Sequence, residues 1–183
     1  MNGITPTRMF LTKGEGQHKE KLASLEQALR EAGIAPFNLV KISSIFPPHC
    51  QLISKKDGVK LLKPGQIVFL VMSENSTNEP HRLISASIGL AIPNDPSHYG
   101  YLSEHHAFGQ DQEEAGEYAE DLAAEMLATT LGKDFDIAQI WNEKKNLFEI
   151  GNGLEVRTRH VCQIARGKKG FWTTAFAAAV MIH

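Results

Sequence analysis

The sequence predicts a single α+β domain. Several segments alternate large with small, or charged with apolar, residues at the period of a β-strand, and two longer segments place apolar residues on one helical face. Glycine and proline separate these segments, and many strands with two main helices are typical of α+β layers. A chain of 183 residues can bury one sizeable core, roughly 70% of the surface that it would expose when unfolded.

The first elements are a strand and a helix. A short apolar strand is predicted at 8–12, followed by a turn at Gly14-Glu15-Gly16 and a helix at 19–32. Gly33 is expected to end this helix because glycine readily adopts the left-handed conformation of a helix C-terminus. The apolar face of the helix comprises Leu22, Leu25, Ala28, Leu29 and Ala32.

Three strands are predicted in the middle of the chain. The first, at 37–43, is stopped by the Pro-Pro pair at 47–48, since proline has no N–H to donate to a ladder. The second, at 66–72, leads into a predicted loop at 73–80. The third, at 83–92, alternates Ile and Leu with Ser, Gly and Ala, so that its small residues allow a second layer to pack closely.

The remaining elements are three strands and one helix. A short strand at 100–104 precedes an amphipathic helix at 112–131, and two longer strands follow at 154–165 and 171–182. Turns are predicted at 93–96, 151–153 and 167–170, where glycine, proline or asparagine is concentrated.

Composition and charge exclude several classes of protein. A net charge of -2, with 42% hydrophobic and 22% charged residues, describes an ordinary globular chain, and nucleic acid is not an expected partner. The N-terminus lacks the apolar stretch of a secretory signal, and no apolar run approaches the ~18 residues that span a bilayer. We therefore expect a cytoplasmic protein with no membrane contact, in which Cys50 and Cys162 are free thiols.

The most informative segment is Lys-Ile-Ser-Ser-Ile-Phe-Pro-Pro at 41–48. If a strained strand end holds the Ser43–Ser44 peptide bond, the Ser44 hydroxyl can attack the Ser43 carbonyl carbon. The oxyanion that forms needs a hydrogen-bond donor, and Asn38, six residues before Ser44 on the same predicted strand face, is the candidate. An N-to-O acyl shift, β-elimination to dehydroalanine and hydrolysis would then leave a pyruvoyl group at position 44. On composition alone, a plain strand end before a turn is the commoner explanation.

The segment 38–48, preceded by Ala-Gly-Ile, resembles the processing site of the pyruvoyl-dependent arginine decarboxylases. Further matches follow in order along essentially the whole chain: ISASIGLAIP at 84–93, GYLSE at 100–104 and AFAAA at 175–179. The resemblance implies cleavage between Ser43 and Ser44 into a β subunit, 1–43, and an α subunit, 44–183, whose first residue is a covalently attached pyruvoyl group derived from Ser44. It also implies a four-layer αββα sandwich and a homotrimer of cleaved protomers, with higher assembly left open and active sites at the subunit interfaces.

The implied reaction is decarboxylation of L-arginine to agmatine and carbon dioxide. The pyruvoyl ketone condenses with the substrate amino group and takes up the electrons released when carbon dioxide leaves. Glu104 matches the proton donor of the family. Glu26 stands where the family carries an aspartate on the first helix, and its carboxylate can pair with a guanidinium. Leu29, one turn further, and Ser43, through its new carboxylate, are the other implied substrate contacts.

Two alternatives remain: a pyruvoyl-dependent decarboxylase of another amino acid such as histidine, and a binding or structural protein of this fold that does not cleave. The turn at 14–16 resembles a dinucleotide-binding loop, but Lys19 stands where its third glycine belongs. His105 and His106 beside Glu104 suggest a metal site, yet adjacent strand residues point to opposite faces, so no metal is expected.

Overall fold

The computed structural model describes residues 3–132, 141–142, 147–150 and 153–183. Helices and two sheets occur together, which confirms the α+β class. The elements in chain order are β1 (Arg8–His18), α1 (Lys21–Glu31), β2 (Asn38–Lys41), β3 (Ile45–Phe46), β4 (Gln51–Leu52), α2 (Lys55–Lys60), β5 (Ile67–Thr77), β6 (Leu83–Pro93), β7 (Gly100–Phe108), α3 (Gln112–Thr130), β8 (Trp141–Asn142), β9 (Leu147–Ile150), β10 (Leu154–Arg166) and β11 (Trp172–Ile182).

The strands of these described residues form two sheets. The first sheet has the order β2-β5-β11-β1-β4, and the second sheet has the order β3-β7-β6-β10-β9-β8. Strand β2 lies at an edge of the first sheet, and β3 lies at an edge of the second. Residues 42–44, called the inter-sheet link below, therefore carry the chain from one sheet to the other.

Apolar side chains cluster on three faces. One cluster joins residues of both sheets, the second packs α1 against the first sheet, and the third packs α3 against the second sheet. Strand β11 contributes to two of them because successive strand side chains point to opposite faces. Its residues Ala175, Ala177, Ala179 and Met181 belong to the cluster between the sheets, and Phe176, Ala178, Val180 and Ile182 belong to the cluster under α1.

The predicted turn at 14–16 is wrong, because both of its glycines lie inside β1. Helix α1 crosses this strand so closely that a Cβ on Gly16 would lie 2.0 Å from the Ser24 carbonyl oxygen. A Cβ on Gly14 would lie 2.2 Å from the Ala28 carbonyl oxygen. The glycines permit close packing of helix on strand, which also removes the basis for a dinucleotide-binding loop. Gly33, with a φ of 76°, follows α1 as predicted.

The predicted loop at 73–80 is also wrong in its first half, since β5 continues to Thr77. Two of its polar residues, Ser73 and Asn75, are buried and bond to the backbone of β7. The Ser73 hydroxyl donates to the His105 carbonyl at 2.7 Å, and the Asn75 amide donates to the Ala107 carbonyl at 2.8 Å. The polar side chains that suggested a loop therefore have hydrogen-bond partners inside the fold. Residues 151 and 152 of the turn predicted at 151–153 lie outside the described residues.

Helix α3 is held at its start and where the Ala119 carbonyl meets the second sheet. Asp111 and Glu114 form a capping box at its N-terminus. The Ser103 hydroxyl donates to the Ala119 carbonyl, and a Cβ on Gly89 would lie 1.9 Å from that same oxygen. Small residues in β6 therefore allow the close packing that their alternation predicts. No helix in the described part of the chain is long and apolar enough to span a membrane.

Both cysteines are free thiols, as predicted. Burial raises the pKa of Cys50 to about 11, and burial also raises the pKa of Cys162. Because the thiolate is the nucleophilic form, neither thiol is poised to act as a nucleophile at neutral pH.

Candidate active site

The serine pair lies in the inter-sheet link, between β2 and β3. Upstream of the pair, the Ile42 N–H donates to the Leu70 carbonyl of β5 at 3.0 Å. Downstream, the Leu102 N–H of β7 donates to the Ser44 carbonyl at 2.7 Å. One hydrogen bond to each sheet therefore brackets the Ser43–Ser44 peptide bond.

Apolar residues anchor the inter-sheet link on both sides of the serines. Ile42 packs against the cluster between the sheets, and Phe46 is 4% exposed within it. Ser43 is exposed and Ser44 is half-buried. The half-buried side chain of Ile42 and the buried side chain of Phe46 thus anchor the segment on both sides of the Ser43–Ser44 peptide bond, which solvent can reach.

Glu104 lies beside the inter-sheet link on β7. Strand β3 pairs with β7 so that Ile45 opposes Tyr101, and the Ser44 carbonyl bonds to the next residue, Leu102. Glu104 follows two residues later and therefore shares the face of Leu102, which is fully buried between the sheets. The structure thus brings Glu104 and the serine pair together, although they are distant in sequence.

Lys41 is a second charged residue beside the inter-sheet link, in contact with Glu104. Its Nζ donates to Glu104 Oε2 at 2.6 Å, so that the last residue of β2 in the first sheet contacts β7 in the second. The Lys41 side chain is 56% exposed and that of Glu104 is 27% exposed. Sequence reasoning did not single out Lys41 as a site residue. Its position two residues before the serine pair was the available signal.

Asn38 lies apart from the serine pair within one copy of the chain. Strand β2 ends at Lys41, so the continuous strand face that was predicted to join Asn38 to Ser44 does not form. Asn38 lies three positions before Lys41, ~10 Å along the strand, and the serines lie beyond Lys41. The Asn38 amide donates to the Gly65 carbonyl at 2.7 Å. Its role as oxyanion donor stays a prediction.

Glu26 and Leu29 lie on α1, which packs on the face of the first sheet that points away from the second. Leu29 is half-buried against the cluster under α1. Glu26 forms an ion pair with Arg30, with Oε2 2.6 Å from Nε, and lines an open groove of about 380 Å³ beside Pro36. Within one copy, the first sheet separates these residues from the face that carries Glu104.

Comparison with known proteins gives a consistent result over the full chain. A family model described as pyruvoyl-dependent arginine decarboxylase matches residues 8–183. A probable pyruvoyl-dependent arginine decarboxylase of Chlorobium phaeovibrioides is 55% identical over 179 residues, which cover 98% of each chain. A pyruvoyl-dependent arginine decarboxylase of Nitrosopumilus maritimus is 53% identical over the whole of both chains. A pyruvoyl-dependent arginine decarboxylase of Methanococcoides burtonii is 52% identical over 98% of this chain and 99% of the relative. The chain therefore belongs to the pyruvoyl-dependent arginine decarboxylase family, which confirms the predicted family, enzyme class and pyruvoyl cofactor.

Proposed function

We propose that this protein decarboxylates L-arginine to agmatine and carbon dioxide, using a pyruvoyl group made from its own Ser44. One observation carries the proposal. The Ser43–Ser44 bond lies in a link held by one hydrogen bond to each sheet, and Glu104 follows two residues after the Leu102 that bonds to Ser44, with its carboxylate bonded to Lys41. Such a site can hold a scissile bond in place and keep an acid next to the residue that becomes the cofactor.

The cofactor forms by self-cleavage into residues 1–43 and 44–183. The Ser44 hydroxyl oxygen bonds to the Ser43 carbonyl carbon, the peptide C–N bond breaks, and the hydroxyl proton moves to the Ser44 nitrogen. Loss of the Ser44 Cα proton then breaks the ester bond at Cβ and releases the Ser43 carboxylate. Hydrolysis of the dehydroalanine consumes one water and releases one ammonia, which leaves a ketone at position 44.

The residues around position 44 fit a pyruvoyl group. Such a group retains the carbonyl of residue 44, and the Leu102 N–H already donates to that oxygen. When bound, the pyruvoyl group serves as the electron acceptor for loss of carbon dioxide. Phe46, buried two residues further, holds the start of the α subunit in the fold. Glu104 would deliver a proton to the substrate carbon that has lost carbon dioxide, and would become a carboxylate.

Recognition of the substrate guanidinium falls to Glu26. Its carboxylate forms an ion pair with the Arg30 guanidinium, and that exposed pair is worth only about 0.5 kcal/mol. A substrate guanidinium can therefore replace Arg30 as the partner of Glu26. Leu29 would contact the apolar stem of the substrate, and the Ser43 carboxylate is a further proposed contact.

Replacing Glu26 by glutamine should raise the KM for arginine about 10-fold or more, because a charge-assisted hydrogen bond to the guanidinium is lost. Glu26→Asp should retain part of the affinity, since the charge stays. Initial rates with arginine measure the effect, and Glu125→Gln, on the exposed face of α3, controls for the exchange. An unchanged KM in Glu26→Gln would contradict the assignment of Glu26 to the substrate site.

A panel of amino acids that includes histidine tests which amino acid is the substrate. Preferred decarboxylation of histidine would contradict the assignment of arginine as the substrate.

We further propose an αββα order of four layers and a homotrimer with active sites between subunits. The order is supported by α1 on the first sheet, α3 on the second, and a shared apolar cluster between the sheets. The trimer is supported by the separation of Glu26 and Asn38 from Ser44 within one copy. Val40 and Ile45, which flank the inter-sheet link, are 39% and 40% exposed and are available to a neighbouring subunit.

Mixed oligomers test the shared site. A chain with Ser44→Ala and a chain with Glu26→Gln each lack one half of the proposed site. Co-expression should restore part of the activity, because some interfaces combine Ser44 of one chain with Glu26 of another. Rates of the purified mixed oligomer, compared with each variant alone, measure the restoration. Sedimentation equilibrium should give three copies or a multiple of three, and a monomer would contradict the proposal.

A further inference from the structure

The contact between Lys41 and Glu104 joins the two sheets across the inter-sheet link. We propose that Lys41 is a positioning residue for Glu104, an inference that rests on the proposed function. Its ammonium group holds the Glu104 carboxyl beside position 44 and stabilises the carboxylate that remains after proton donation. The Nζ–Oε2 distance of 2.6 Å is that of a strong, charge-assisted hydrogen bond.

The backbone fixes both partners of this contact. Lys41 is the last residue of β2, and its parallel pairing with Leu70 of β5 sets its position. Glu104 is paired with Ile88 inside the second sheet. The contact therefore closes a ring that runs from Lys41 through the inter-sheet link to Leu102, along β7 to Glu104 and back. Within this ring, a shift of the Glu104 side chain would change its distance from position 44.

Charge explains why the contact matters for the reaction. As a proton donor, Glu104 would change from a neutral carboxyl group to a carboxylate. A nearby ammonium group therefore interacts more strongly with the product of proton transfer than with its starting state. The Glu104 side chain is 27% exposed, so this attraction is less screened than in open water, and solvent can still return the proton. Lys41 itself transfers no proton to the substrate.

Self-cleavage would change the covalent relation of the two residues. Lys41 would lie two residues before the C-terminus of the β subunit, whereas Glu104 would belong to the α subunit. The contact would then hold the new C-terminal residues 42 and 43 next to the site. Because exposed ion pairs contribute little to the free energy of unfolding, loss of the Lys41 charge should leave the fold intact.

The experiment compares Lys41→Met, which removes the charge at similar length, with Lys41→Arg, which keeps it. Lys41→Met should cleave at 43/44, and its kcat per cleaved chain should fall about 10- to 100-fold with little change in KM. Lys41→Arg should recover most of the kcat. Lys56→Met, an exposed exchange on α2, controls for the substitution. A Lys41→Met enzyme with unchanged kcat per cleaved chain, or one defective only in cleavage, would overturn the proposal.

Coupling to Glu104 separates positioning from a general structural effect. In a chain that already carries Glu104→Gln, Lys41→Met should cause no further loss of kcat, because the carboxylate that it serves is gone. An equal loss in both backgrounds would also overturn the proposal. The kcat values are measured with whichever amino acid of the panel the wild-type enzyme decarboxylates. Failure of arginine as the substrate is thereby distinguished from failure of the Lys41 assignment.

Discussion

The Ser44→Ala chain should remain intact at 183 residues and release no carbon dioxide from arginine. Alanine has no hydroxyl to attack the Ser43 carbonyl and no oxygen at Cβ to leave in the elimination, so the cofactor cannot form. The fold should be retained because the Leu102 N–H bonds to the backbone carbonyl of residue 44, which alanine also has. Intact mass and carbon dioxide release are the two measurements.

Ser43→Ala is the matched control for this variant. Residue 43 supplies the carbonyl carbon, which alanine retains, so that this chain should still give two fragments. The fragments of a processed chain should together gain one water and lose one ammonia, whereas ordinary proteolysis only adds water. A Ser44→Ala chain that cleaves at 43/44 or decarboxylates arginine would contradict the origin of the cofactor. An intact wild-type chain without a reactive carbonyl would instead support the non-cleaving alternative.

Glu104→Gln should cleave normally and lower the kcat for decarboxylation about 10²- to 10⁴-fold. The amide has nearly the shape of the acid but no acidic proton, and the proposed cleavage steps do not use the Glu104 carboxyl. Mass spectrometry measures the cleaved fraction, and single-turnover rates measure the chemical step in the same samples.

Two further variants control this result. Glu125→Gln, on the exposed face of α3, should behave as the wild type. Glu104→Asp keeps the acid but shortens its reach, and should give an intermediate rate. A fully active Glu104→Gln enzyme would remove Glu104 as the proton donor, whereas an uncleaved one would move its role to processing.

The elements with a clear period could be predicted from the sequence. The apolar spacing predicted α1 and α3, alternation predicted β6 and β10, and a continuous apolar run predicted β11, because the burial of each element leaves a pattern along its own length. The errors share one physical cause. Gly14 and Gly16 accommodate a helix that crosses β1, and Ser73 and Asn75 bond to carbonyl groups of β7. Local patterns carry no information about such distant partners.

The sequence by itself determined the family, and through it the pyruvoyl chemistry and the candidate residues Ser44, Glu104 and Glu26. Only the tertiary structure decided how they are arranged. It places Ser44 in a link between two sheets and puts Lys41 against Glu104, 63 residues further along the chain. It also places Glu26 on the face of the first sheet that points away from Ser44 and Glu104. The reason is that β-strand pairing and sheet packing are long-range contacts, whose partners depend on the whole chain and not on any single segment.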